Sequence, residues 1–386
     1  GGLFHLPAAG RFLDQASKGD QMMRFHIIAA VVTFSAGHLL SQESIYQPPP
    51  NFAGDGGDYR SPLLFKDGSR VKTSEQWPER RKEILETWTG LLGEWPEVIT
   101  DPEVEILASE NREGFTQHTV RFLWTPDEKT TGYLLVPDKP IKKPMPGVVT
   151  VYYEPETAIG LGKEERDFAY KLARRGFAAL SIGTTDATET KTYSLYWPSM
   201  EDVRVQPLSM LGYAAANAYH VLANHPEVDA ARIGIVGHSF GGKWAMFGSC
   251  LYDKFACAAW SDPGIVLDTR PGVNYWEPWY LGWHPKPWRK RGVPTEENPA
   301  RGLYLKLVSE GRDLHELHAL MAPRPYLVSA GSEDPPHRWQ ALHHSIEVNK
   351  LFGFNDRVAM HNRPDHSPNP ASNEVIYSFF EEWLME

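Results

Sequence analysis

One hexapeptide, Gly237-His238-Ser239-Phe240-Gly241-Gly242, constrains this chain more than any other feature. An apolar, β-branched run (Ile233 to Val236) precedes it, and a helix-forming stretch (Gly242 to Leu251) follows it. The sequence therefore predicts a strand, a sharp turn and a helix with serine at the apex. Such a turn holds the serine in a strained backbone conformation, so its neighbours must be small. It also aims the hydroxyl above the sheet and sets the Phe240 backbone N–H at a helix N-terminus, where negative charge is stabilised. A Gly-x-Ser-x-Gly run in this setting is a nucleophile elbow. A tight glycine turn carrying a surface serine is the alternative.

An activated serine needs a base and an acid that orients it, here in the chain order Ser, acid, His. His366, in the loop Asn362-Arg363-Pro364-Asp365-His366-Ser367-Pro368, is the expected base; His361 is its competitor, nearer the end of a strand. For the acid, Asp334 in Gly331-Ser332-Glu333-Asp334 is the first choice. Asp262 in Trp260-Ser261-Asp262-Pro263 is second and Glu333 third. Whichever carboxylates lose are expected to cap turns or helices. The second oxyanion donor should come from the loop after Gly147 to Tyr152. That loop reads Tyr152-Tyr153-Glu154-Pro155, and Tyr153 or Glu154 would supply the N–H.

Apolar strands alternate with helices around this core. Strands are expected at 147–152, 177–182, 233–236, 256–260, 326–329 and 357–360. Helices are expected at 165–174, 208–222, 242–251, 314–321, 339–351 and 373–384. That alternation predicts an α/β fold, a mostly parallel sheet with helices on both faces. Upstream lie a helix starting near Thr73 and Ser74 and two strands, 116–124 and 131–136. Residues 73–386 are read as one domain. Residues 38–72, with Pro48-Pro49-Pro50 and Asp55-Gly56-Gly57-Asp58, read as an extended lead-in. Met22 or Met23, Arg24, the apolar run Ile27 to Phe34 and the small residues Ser35-Ala36-Gly37 read as an export signal within an upstream stretch, 1–37. An amphipathic N-terminal helix is the alternative. The run is too short to span a bilayer, so a secreted or periplasmic protein is expected.

Composition narrows the chemistry. A formal net charge of -10 argues against nucleic acid, whose phosphates need a basic face. Two cysteines, Cys250 and Cys257, cannot build a disulfide scaffold or a four-thiolate zinc site, and two separately buried thiols are expected. His315-Glu316-Leu317-His318 lacks the i, i+4 histidine spacing of a zinc helix, and no dinucleotide or phosphate loop is present. No metal or cofactor is expected. The chain has 13 Trp, and four of them, Trp276, Trp279, Trp283 and Trp288, lie between Asp262 and Leu314 with Tyr275 and Tyr280. A long aromatic segment after a catalytic strand is expected to form a lid whose indoles stack on sugar rings or on one another.

Taken together, these residues resemble the α/β-hydrolase carbohydrate esterases, in particular the acetyl xylan esterase and glucuronoyl esterase-like group, over roughly residues 60–385. Supporting motifs are Trp77-x-x-Arg80-Arg81, the passage through Pro226-Glu227-Val228-Asp229 into the elbow strand, and Asp313-Leu314-His315-Glu316-Leu317 running into Ala322-Pro323-Arg324-Pro325. The resemblance implies an α/β-hydrolase fold and a sugar-contacting role for Lys243, four residues after the serine. It also implies that the acid can sit where Asp262 does. A solvated helix lysine is the plain alternative for Lys243. Glucuronoyl esterases carry arginine directly after the serine, where this chain has Phe240, so the resemblance extends to ester chemistry rather than to methyl glucuronoyl esters. The expected function is an exported serine esterase on small-molecule or polysaccharide esters, with Trp276, Trp279 and Trp283 at the substrate. A prolyl-oligopeptidase-like or dienelactone-type hydrolase is an alternative. An inactive sugar-binding homologue is the non-enzyme alternative.

Overall fold

The computed structural model describes residues 45–184, 194–267, 276–278, 280–290 and 294–386. The stretch 1–37 read as an export signal lies outside them, as does Trp279. Nine strands form one sheet in the order β1-β2-β3-β5-β4-β6-β7-β8-β9. They are β1 Glu105–Arg112, β2 Phe115–Thr125, β3 Glu128–Pro137, β4 Met145–Tyr152, β5 Ala178–Gly183, β6 Val228–His238, β7 Cys257–Ser261, β8 Tyr326–Ala330 and β9 Val358–Asn362. β1, β2 and β3 pair antiparallel, and β3 meets β5 antiparallel. Every pairing from β5 through β4, β6, β7 and β8 to β9 is parallel. This is the α/β-hydrolase sheet, with β5 and β6 on opposite sides of β4, so that the strand order reverses there.

The parallel strands are buried on both faces, which is why they read as unbroken apolar runs rather than as alternation. Ile235, Ala258, Trp260 and Val328 point into one core, packed by α1 Trp77–Leu92, α3 Pro207–Ala223 and α4 Phe240–Leu251. Val236, Cys257, Ala259 and Leu327 point into the other, covered by α2 Phe168–Arg174 and α8 Pro370–Met385. Three further helices complete the described set: α5 Leu303–Ser309, α6 His315–Ala319 and α7 Trp339–Lys350. Cys250 and Cys257 are buried free thiols. No helix among the described residues is long and apolar enough to cross a membrane.

Two departures from the sequence expectation have local causes. α2 begins at Phe168, not Glu165, because Glu165 takes a positive φ of 60° that no helix accommodates. β1 was not expected: six of its eight residues are exposed, and its sequence, EILASENR, has no apolar alternation. It forms because β2 offers an open edge, and seven register pairs join the two.

Candidate active site

β6 delivers Ser239 to the carboxyl end of the sheet, between His238 and the first residue of α4. Ser239 has φ 57° and ψ -114°, and its N–H donates to the Ser261 carbonyl at 2.8 Å. The flanking glycines are sterically required. A Cβ on Gly237 would collide with the Gly241 carbonyl, and one on Gly241 would collide with the Val151 carbonyl. The second collision also shows how closely the start of α4 abuts the end of β4. Phe240 is the first residue of α4, where the leading N–H groups have no partner within the helix. Tyr153 follows β4 directly, and its ring stacks on the Phe240 ring at 4.6 Å. The two residues expected to supply oxyanion donors are thus neighbours beside the serine.

His366, in the loop after β9, places Nε2 2.8 Å from Ser239 Oγ. Its Nδ1 lies 2.7 Å from Asp262 Oδ2. His361 is elsewhere: its Nε2 meets Ser329 Oγ at 2.9 Å, and burial pushes its pKa down to about 4.

The carboxylate against His366 belongs to Asp262, the second choice from sequence, and Asp334 does not touch the imidazole. Two loops exchange carboxylates here. Asp262, fully buried with φ 48°, accepts from the N–H groups of Gly331 (2.6 Å), Asp334 (3.0 Å) and Glu333 (3.2 Å). Asp334, also fully buried, turns the other way and accepts from Gly264 N–H at 2.8 Å and Ile265 N–H at 2.7 Å. Each loop therefore caps the other. The Gly331-to-Asp334 loop meets Asp262 through its backbone amides, while the Asp334 carboxylate caps the loop that follows Asp262. Burial, and then the charge of Asp262, push the Asp334 pKa up to about 6.

Two neighbours of the imidazole went unsingled in the sequence. His238 packs its ring 4.8 Å from the His366 ring, with Nδ1 on Ser261 (Oγ 3.1 Å). Burial, and then the nearby His366, hold it well below the usual histidine range, so it is neutral at neutral pH. Arg363, three residues before the base, is buried beneath the loop; a lone arginine in a polar loop gave no signal for that.

The expected sugar-contacting side chains divide. Lys243 is 7% exposed: its Nζ donates to the Pro263 carbonyl and lies 4.5 Å from the Trp276 ring centroid. Trp276 is itself 2% exposed. Both are packed into the fold, so Lys243 is not a solvated helix lysine: the ammonium satisfies a buried carbonyl and lies over the indole. Trp283 is half-buried and lines a cavity of about 280 Å³ with Met200, Glu201, Pro285, Lys286 and Trp288. Among the described residues, no group of three or more His, Cys, Asp or Glu side chains converges as metal ligands would.

No family model matches the chain, and no curated protein matches it. Solved structures do. A glucuronoyl esterase from Solibacter usitatus superposes with a TM-score of 0.64 at 18% identity, covering 84% of this chain and 97% of that one. A glucuronoyl esterase from Teredinibacter turnerae gives 0.59 at 19% identity, covering 84% and 89%. One from Sporotrichum thermophile, in complex with methyl 4-O-methyl-β-D-glucopyranuronate, gives 0.55 at 15% identity, covering 86% and 88%. The chain shares with these enzymes the α/β-hydrolase fold that its elbow and strand pattern predict.

Proposed function

We propose that this protein is a serine esterase that hydrolyses carbohydrate-linked carboxylic esters through a Ser239-His366-Asp262 triad. The observation that carries the reading is the continuous path from Ser239 Oγ to His366 Nε2 (2.8 Å) and from His366 Nδ1 to Asp262 (2.7 Å). His366 Nε2 takes the Ser239 proton as Oγ attacks the ester carbonyl carbon. Asp262 holds the imidazole in the tautomer that leaves Nε2 free to accept, and it stabilises the imidazolium that forms. The Phe240 N–H, at a helix N-terminus, and the Tyr153 N–H receive the oxyanion. Collapse expels the alcohol, which takes the proton from His366. Water then attacks the acyl-enzyme by the same route and releases the carboxylic acid.

The carbohydrate part of the reading draws on the glucuronoyl esterases of like fold and on the half-buried Trp283 and Trp288. Indole faces suit the apolar faces of pyranose rings. Export is proposed from the Ile27 to Phe34 run, and N-terminal sequencing of protein secreted from a bacterial host tests it. Fluorophosphonate labelling tests the nucleophile. The wild type should label and Ser239→Ala should not; absence of wild-type labelling would instead favour a sugar-binding protein. A panel of acetyl-xylan, a methyl glucuronoyl ester, a feruloyl ester and a prolyl peptide then assigns the class. Turnover of the peptide alone would overturn the carbohydrate reading.

A further inference from the structure

Resting on that triad, we infer that Arg363 is the positioning residue of the active site, fixing the His366 loop onto the ends of β7 and β8. Arg363 is 6% exposed. Every donor it has is directed at this corner. Nε donates to the Ser367 carbonyl at 2.9 Å, and Nη2 to the His366 carbonyl at 2.7 Å and to Ser261 Oγ at 3.3 Å. Nη1 donates to the Ser329 carbonyl at 2.7 Å and to Ser329 Oγ at 3.1 Å. The Arg363 backbone N–H adds a bond to the Ala330 carbonyl at 2.9 Å. One planar fork thus joins the last residue of β7, the end of β8 and the backbone of the base itself. The imidazole angle toward Ser239 is set from below.

Burying a cation among carbonyls is expensive unless anions lie near. Asp262 and Asp334 supply that charge, and both act electrostatically on Arg363. Arg363 in turn offsets the two carboxylates that share this buried corner. Lysine cannot replace it, because a single ammonium cannot reach all three carbonyls and both hydroxyls from one rotamer. The other titratable or charged groups around His366 are the neutral His238 ring 4.8 Å away, Arg166, whose Nη2 bonds Ser367 Oγ at 3.2 Å, and Asp365 on its own loop.

The test compares Arg363→Lys and Arg363→Gln with the wild type on 4-nitrophenyl acetate, with circular dichroism as the folding control. Both should lose about 10²-fold or more in kcat with KM changed less than about 3-fold, because the base is misplaced and binding is not. A folded Arg363→Gln with wild-type kcat overturns the inference and leaves Arg363 a stability residue. Should neither variant fold, Ser329→Ala trims one acceptor of Nη1. It should then lower kcat at least about 3-fold, and an unchanged kcat overturns the inference. Failure of the wild type itself to label with fluorophosphonate and to turn over the ester is a different result, against the triad reading.

Discussion

Replacing Asp262 with asparagine separates the two carboxylates that competed for the acid's role. Asp262 accepts four hydrogen bonds, two at Oδ1 from Gly331 and Asp334 and two at Oδ2 from Glu333 and His366. An amide can replace only one oxygen. With its NH₂ toward Gly331 and Asp334 it would oppose two short backbone donors, so the NH₂ turns toward His366. The imidazole must then accept at Nδ1 and carry its proton on Nε2, where it meets Ser239 as a donor and cannot act as base. The expected loss in kcat is about 10⁴-fold. Stability should change far less. A lost charge-assisted bond costs about 1.5–3 kcal/mol, but removing the Asp262 charge also relieves Asp334, whose carboxyl that charge helps push up. The assay is kcat on 4-nitrophenyl acetate beside urea unfolding for Asp262→Asn and Asp334→Asn, the latter expected to lose less than about 10-fold. If Asp334→Asn is the inactive variant and Asp262→Asn turns over normally, the acid assignment is wrong.

Gly241→Ala drives a Cβ into the Val151 carbonyl and should cost more than about 3 kcal/mol in urea unfolding, whereas Gly90→Ala, in α1 with open space around it, should gain about 0.5–1 kcal/mol. Lys243→Met strips the Pro263 carbonyl of its donor and should cost about 1–3 kcal/mol; an unchanged unfolding midpoint would show that the lysine is not a structural tie. His318 is fully buried, and burial followed by nearby His315 pushes its pKa down to about 3. Its folded pKa lies below the unfolded value of about 6.5, so the stability it contributes is present above pH 6.5 and is lost as pH falls. The melting temperature of His318→Phe should therefore fall less than that of the wild type between pH 6.5 and 4; parallel curves count against the argument. Trp283→Ala should raise KM for an acetylated xylo-oligosaccharide and leave 4-nitrophenyl acetate kinetics unchanged, and equal losses on both substrates refute a sugar-facing role.

The parallel half of the fold was legible because burial on both faces leaves apolar runs that turn residues delimit, as in Ile233, Ile235 and Val236. β1 was illegible for the opposite reason: an exposed edge strand needs no apolar pattern, only a partner. Ser239 and His366 could be found because the elbow imposes glycines and the base follows the last strand. Which carboxylate meets His366 could not be read in advance, since both candidate loops present an aspartate shortly after an apolar strand. What distinguishes them is backbone geometry: φ 48° at Asp262, and the amides of residues 331–334 facing it. No residue type encodes that reciprocity, and Arg363 was hidden likewise because its partners are mostly carbonyls.

Burial reassigns work among the residues around the serine. Of the positions compared with glucuronoyl esterases or assigned to sugar contact in the sequence, three are buried: Phe240 at 1%, Lys243 at 7% and Trp276 at 2% exposure. Together with Tyr280, whose ring lies 5.8 Å from Phe240, they form a wall behind the nucleophile. Pro263, which Lys243 holds, follows Asp262 directly, so that wall bears on the carboxylate as well as on the elbow. A cation at position 240 would have to enter this packed aromatic surface, at the desolvation cost of a buried charge. Under the proposed mechanism, charge stabilisation of the oxyanion is therefore left to backbone dipoles at the start of α4 and after β4. On the proposed reading, the candidates for sugar selection are side chains that solvent reaches, and Trp283, Trp288, Glu201 and Lys286 share one cavity.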